Sequence, residues 1–307
     1  MPPRSPLPAR HGLDAARLRT PDRHGSHPDA WSTMGEWLRE RLPEHVDVAA
    51  MLAGERFVDE HGRPVRDDDP YGPHRFVWFH RDLRAEPVVT APIHVVHRDE
   101  RLVVVDKPAF LSSIPRGRHV MQSVVVRLRA ELGLPDLSPL HRLDRVTSGL
   151  LMLATEPRWR GPYQSLFEHR AVDKTYWALA PLRDDLTFPL VVRNHLHKER
   201  GSWQAEVVPD APVNAETLVE LESEVDGRGI YRLTPRTGRT HQLRVHLWGL
   251  GIPIVDDPLY PVVREVDVDD FSRPLQLLAG EVSFTDPVDG SARRFRSVRR
   301  LPLTDLD

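Results

Sequence analysis

The sequence predicts an α+β protein with two folded parts behind a proline-rich tail, and three observations carry this. Residues 1–30 hold much Pro, Arg, His and Ser and few large apolar side chains, too few to order the segment, so a mobile tail is expected there. Beyond Asp29, apolar residues recur first at helical spacing and then in short alternating runs, which reads as a small α/β module at 31–84. Residues 90–307 then alternate strand-like and helix-like stretches, with strands and loops alone from 190 to 230, which is the pattern of the larger α+β domain. The scattered Arg and His of the tail can brush RNA, but a plain leader carries more weight.

In the module, Trp31, Met34, Trp37, Leu38 and Leu42 fall at helical spacing. Ser32 and Thr33 can cap that helix, with Glu36 in its first turn, and Pro43 stands where it stops. A second short helix is expected near Val46–Leu52. Arg56–Val65 reads as a strand, a turn at His61-Gly62 and a second strand, and Phe76–Phe79 adds another.

Ala85–Pro92 reads as a linker. Ile93–His97 and Leu102–Val105 read as strands about a turn at Asp99-Glu100. Residues 121–132 form a helix with Val124, Val125, Leu128 and Leu132 on one side, and 156–171 contain a helix with Tyr163, Leu166 and Phe167 inward. Asp173–Leu179, Ala205–Val208, Glu216–Leu221 and Ile230–Leu233 read as strands, and Asn194–Arg200 as a polar loop. Thr240 is expected to cap a last helix, in which Leu243 and Leu247, and Thr240 and Arg244, lie one turn apart.

Composition removes several chemistries. With 307 residues and no cysteine, the chain needs no disulfide and has no thiol catalysis or cysteine zinc site. No apolar run approaches the length that spans a bilayer, and the start lacks the apolar core of a signal peptide, so a cytoplasmic protein with no membrane partner is expected. A net charge of −3 does not advertise a nucleic-acid binder. Base nevertheless collects at Arg142 and Arg145 and from Arg228 to Arg244, so a basic cleft on an acidic body fits.

The stretch His141–Ala154 stands out. Asp144 lies between Arg142 and Arg145, which favours its charged form. Thr147-Ser148-Gly149 can form a tight turn, and Leu150–Ala154 reads as a buried strand, although periodicity alone does not exclude a helix. Chemistry alone leaves two readings: a structural ion pair beside a turn, or a carboxylate held ready to react.

This stretch also resembles something. From His141 to Leu150 it is similar, at every specified position, to His-Arg-Leu-Asp-x-x-Thr-Ser-Gly-Leu, the active-site signature of the RluA-type pseudouridine synthases. Asp106-Lys107-Pro108-Ala109 resembles that family's Asp-Lys-Pro-Ala-Gly-Leu, with Phe110-Leu111 for Gly-Leu. Lys174–Leu179 matches its Lys-x-Tyr-x-Ala-Leu element, and Thr237–Leu247 its Thr-Gly-Arg-Thr-His-Gln-Leu-Arg-Val-His-Leu element. The likeness runs over roughly 93–290. It departs at Asp256-Asp257, where Gly-Asp is usual, and at Leu277-Leu278-Ala279, where Leu-His-Ala is usual.

The resemblance implies a curved, mixed, mostly antiparallel sheet with flanking helices, and isomerisation of uridine to pseudouridine in ribosomal or transfer RNA. It implies Asp144 as nucleophile or base, Tyr176 against the uracil, and Arg239 or Arg244 as partner of Asp144, Arg244 being slightly favoured inside its helix. Arg142 resembles the residue that fills the gap left by a flipped base. Arg116, Arg118 and Arg236 would hold phosphates. His141, Arg145, Thr147, His241, Gln242 and Leu277 complete the implied substrate-binding set. The residue 31–84 module resembles a small alpha-L RNA-binding motif, or a degenerate one that only packs.

No cofactor or metal is implied: His195 and His197 read as a solvated loop, and His241 and His246 do not share a helical face. The expected partner is RNA, and the expected state a monomer. Other readings are a catalytically silent RNA-binding relative acting in RNA folding or ribosome assembly, a metal-dependent hydrolase, and a structural protein with a basic groove.

Overall fold

Two strands are buried along their whole length, Leu102–Lys107 (β5) and Ser148–Ala154 (β7). Both are near-continuous apolar runs, as a strand covered on both faces must be. The computed structural model describes residues 3–22, 31–83, 85–116, 119–267 and 269–304. The chain divides into two compact units, Met1–Arg84 and Ala85–Asp307.

In the first unit a three-stranded antiparallel sheet joins Ala16–Arg19 (β1), Phe57–Val58 (β2) and Phe76–Phe79 (β3) in the order β1-β3-β2. Helices Met34–Arg41 (α1) and Val48–Ala53 (α2) cover it. Thr33 and Glu36 form the full capping box of α1.

Two expectations are corrected here. Part of the supposed mobile tail is strand: β1 pairs with β3 from Ala16 to Arg19, while residues 1–2 and 23–30 lie outside the described residues. Main-chain bonds and the guanidiniums of Arg17 and Arg19, each 5.8 Å from the ring of Trp78 or Phe76, supply what apolar content does not. The expected local hairpin is also reduced, because β2 pairs with distant β3 and meets Pro64 only at an isolated bridge.

The second unit is built on a ten-stranded sheet. Its main path runs His94–Arg98 (β4), β5, β7, Leu277–Thr285 (β14), Asp173–Pro181 (β8), Arg228–Pro235 (β13), Ala215–Val225 (β12) and Leu190–Asn194 (β9). Ser138–Pro139 (β6) adds to β7, and Ala292–Arg296 (β15) to β14. Only β7 and β14 pair in parallel; every other pairing is antiparallel. Alternate residues of β5 and β7 serve opposite faces. Val103, Val105, Leu151 and Leu153 pack with Val124–Leu132 (α3). Leu102, Val104, Leu150 and Met152 pack with Tyr163 of Pro157–Glu168 (α4). A third apolar cluster joins Ala178, Tyr231 and Leu233 of the sheet to Leu243 and Leu247 of Gln242–Gly249 (α5).

The segment read as a linker is docked. Glu86 accepts from the backbone N–H groups of Val120, Met121 and Gln122 at 2.9 Å each, and Val89 is buried against α3. The polar loop after residue 194 holds a short hairpin, Leu196–His197 (β10) with Glu206–Val207 (β11).

Candidate active site

Asp144 sits on the loop that feeds β7, and that loop is fastened at several points. Thr147 N–H donates to Asp144 O at 3.1 Å, so the turn lies at Arg145-Val146 and not at the expected Thr147-Ser148-Gly149, which enters β7 at Ser148. Ser113 Oγ donates to Leu143 O at 2.9 Å and accepts from Leu143 N–H at 3.0 Å. The fully buried Lys107 donates to the carbonyls of Pro108, Leu111 and Arg145 at 3.0, 2.8 and 3.1 Å. An ammonium has three donors, and all are used. His141 Nε2 accepts from Met152 N–H at 3.1 Å, and its ring stacks 4.8 Å from Phe167. His141 is thus a latch between loop and strand.

Gly149 lets the junction close. Its φ is +111°, and an added Cβ would lie 2.3 Å from Ala279 O on β14. No other residue permits β7 and β14 to approach so closely here.

The carboxylate meets a cation from α5. Arg244 Nη1 donates to Asp144 Oδ2 at 3.0 Å. Its other edge is clamped by Asp257, with Nε to Oδ2 at 2.8 Å and Nη2 to Oδ1 at 2.6 Å. Arg244 and Asp257 are buried, 2 % and 0 % exposed, whereas Asp144 keeps a third of its side chain open. Asp257 also accepts from the N–H groups of Leu259 and Tyr260 at 2.8 and 3.1 Å. One guanidinium therefore bridges a closed carboxylate and an open one.

Burial alone would raise the Asp144 carboxyl. The charges of the groups around it, Arg244 and its hydrogen bond among them, hold it below the usual carboxylate range. His241 Nε2 is 3.8 Å away, but burial takes that ring down to about 4, so it is neutral at pH 7. The work then falls to Arg244 and to Lys107, which burial lowers to about 7 against the pull of Asp144. Tyr176 lies on β8 between β13 and β14, its hydroxyl raised to about 12 by burial and by the charge of Asp144.

The structure thus brings Asp144, Arg244, His241 and Tyr176 together, and disperses other residues expected at the site. Arg239 is corrected: its Nε donates to Asn214 O at 3.2 Å, and the αL backbone of His241 starts α5 only at Gln242. For the same reason the helix cap is His241 and not Thr240. Gln242 is buried and fully used, accepting from Thr237 Oγ and Arg239 N and donating to Glu216 O and Thr217 Oγ, so it is a staple with no group left for a ligand. Arg145 turns onto Phe110, 5.6 Å from its ring, and does not pair with Asp144. Leu277 and Thr147 are buried, 3 % exposed each. Arg142, Arg116 and Arg236 are exposed, Arg236 lying 3.4 Å from Glu216. Arg118 lies outside the described residues.

Asp257 and Tyr260 are not among the residues the sequence marks for the site: the departure from Gly-Asp is at Asp256, Asp257 keeps the usual Asp, and nothing local says that it reaches back to Arg244. His246 is no ligand either: its nitrogens are 2.9 Å from Thr217 Oγ and 3.0 Å from Asn194 Oδ1. Among the described residues no cluster of three His, Asp or Glu could hold a metal.

A family model described as RNA pseudouridylate synthase matches residues 101–248. The dual-specificity RNA pseudouridine synthase RluA of Vibrio parahaemolyticus is 35% identical over 211 residues, covering 63% of this chain and 78% of that one. The chain belongs to the RluA-type pseudouridine synthase family. A mitochondrial tRNA pseudouridine(32) synthase of Saccharomyces cerevisiae is 35% identical over 185 residues, but the match spans only 40% of its length. Among solved structures, human RNA pseudouridylate synthase domain containing 1 superposes with a TM-score of 0.56 at 23% identity, over 70% of this chain and 86% of that one. It shows the synthase fold: the mostly antiparallel mixed sheet expected from the sequence. No described helix is long and apolar enough to cross a membrane.

Proposed function

We propose that this synthase isomerises particular uridines of structured ribosomal or transfer RNA, with Asp144 as the reacting carboxylate. The observation that carries this is the bridge Asp144–Arg244–Asp257, which leaves one carboxylate ionised, aimed and open. A carboxylate tied on both oxygens would be structural. This one spends a single oxygen on Arg244 and keeps solvent access.

The chemistry needs no redox partner. The N1–C1′ bond of uridine breaks, the uracil turns, and C5 bonds to C1′. C5 loses a proton and N1 gains one, so atoms balance. Asp144 serves as nucleophile or as base in that sequence. Tyr176, protonated at neutral pH, offers a ring to the uracil and a hydroxyl that can carry a proton. The uridine must first leave its stack, and the exposed Arg142 fills the space behind it. Arg116 and Arg236 meet phosphates. One named relative is a dual-specificity RNA synthase and another a transfer RNA synthase, and both RNA classes are candidates here.

The test uses RNA labelled with tritium at uracil C5, made in cells that lack the protein. The purified wild type releases tritium as C5 takes the glycosidic bond, and Asp144→Asn releases none. Release by Asp144→Asn at the wild-type rate removes Asp144 from the chemistry.

A further inference from the structure

Trp203 is 72% exposed, more than any other large apolar side chain among the described residues. It stands in the turn between β10 and β11. That turn is tied down on both sides. Lys198 Nζ donates to Ser202 O at 2.6 Å and to Trp203 O at 3.0 Å. Gln204 Nε2 donates to Leu259 O, and Ala205 N–H donates to Tyr260 Oη at 2.7 Å.

Those anchors belong to the active site. The Tyr260 ring lies 5.3 Å from the Arg244 guanidinium, and its Oη is 3.0 Å from His241 Nδ1. Through Tyr260 the turn is joined to Arg244, whose Nη1 holds the open carboxylate of Asp144. A tryptophan held in water forgoes burial of a large apolar surface. Here Lys198 holds the Trp203 carbonyl, and the next two residues are tied to Leu259 and to Tyr260, whose ring lies against Arg244.

We propose that Trp203 is a stacking platform for a nucleobase of the RNA next to the uridine being modified. The proposal rests on the synthase reading above. Every base has a π-face, so such a platform positions RNA without reading its sequence. Lys198 keeps one N–H for a phosphate of the same strand. Trp248, also partly open, packs on Tyr260 at 5.5 Å and offers no comparable free ring.

The experiment compares full-length wild type with Trp203→Ala, Trp203→Leu and Trp203→Phe. The substrate is total RNA from cells that lack the protein, scored at each uridine the wild type modifies. Loss of stacking in the Ala and Leu variants should raise KM about tenfold with kcat within about twofold, while Phe stays within about threefold of wild type. The salt dependence of binding should be unchanged, because no phosphate contact is lost. All four should melt together. Equal KM values throughout overturn the proposal, as does a Leu variant as good as Phe, which would mark an apolar cover for a protein partner. A lower melting temperature that tracks the KM rise would assign Trp203 a structural role instead. A wild type that modifies no uridine defeats the synthase reading itself. An active wild type beside a fully active Trp203→Ala defeats this proposal alone.

Discussion

Arg244 bridges two unequal carboxylates. Asp257 is closed and holds the guanidinium with two bonds; Asp144 is open and takes the third. Removing the charge of Asp257 leaves a buried cation short of a partner, which costs about 3–5 kcal/mol in comparable sites. Asp257→Asn should therefore unfold at markedly lower urea and lose activity. Asp144→Asn should lose activity with little change in stability, because Arg244 keeps its buried clamp. Paired urea titrations check this, and equal destabilisation by both would refute the unequal-partner account. Asp144 was legible in the sequence because the motif that carries it, His141 to Leu150, is contiguous, although the arginine that pairs with it comes from α5. Arg244 was only slightly favoured there over Arg239: the choice depends on the αL residue His241, whose φ of +57° sets where α5 begins. Asp257 was illegible because its partner is reached only through the fold.

At the scale of elements, the site depends on β7 meeting β14 in parallel at Ser148 and Gly149. Gly149→Ala would drive a Cβ to 2.3 Å from Ala279 O at a positive φ. The strand must then withdraw, taking the Asp144 loop with it. The expected result is a protein destabilised by several kcal/mol or unfolded, a cost of about the size of backbone strain and overpacking together. A wild-type melting curve for Gly149→Ala would contradict the close approach. Long apolar strands such as β5 and β7 were legible from composition. The β10–β11 hairpin was not, because a two-residue strand has no alternation to read. In β1 the pattern Ala-Arg-Leu-Arg hides a strand, since its cations lie on rings that sequence does not place beside it.

At the scale of the molecule, buried histidines tie stability to pH. Burial lowers His141 to about 3, and His241 and His246 to about 4, from 6.5. The folded state refuses protons that the unfolded chain accepts in that interval. Their contribution is complete above about pH 6.5 and is lost as pH falls toward about 4, at up to about 1.4 kcal/mol per pH unit for each proton refused. Urea midpoints should fall steadily between about pH 7 and about pH 5. A flat profile would mean that these rings ionise freely. The mixed, mostly antiparallel sheet was legible only through motif order, since it depends on which strands pair. The order β7-β14-β8 joins strands distant in sequence.

The central claim is that this chain makes pseudouridine through Asp144. It is tested most directly by mapping pseudouridines at single-site resolution in ribosomal and transfer RNA. The cells would carry the intact protein, no protein, or Asp144→Asn. One or a few sites should vanish in both the null and the Asp144→Asn strain, and return with the intact protein. Sites that vanish in the null but persist with Asp144→Asn would contradict the catalytic assignment. A map unchanged in the null strain would contradict the proposed substrates.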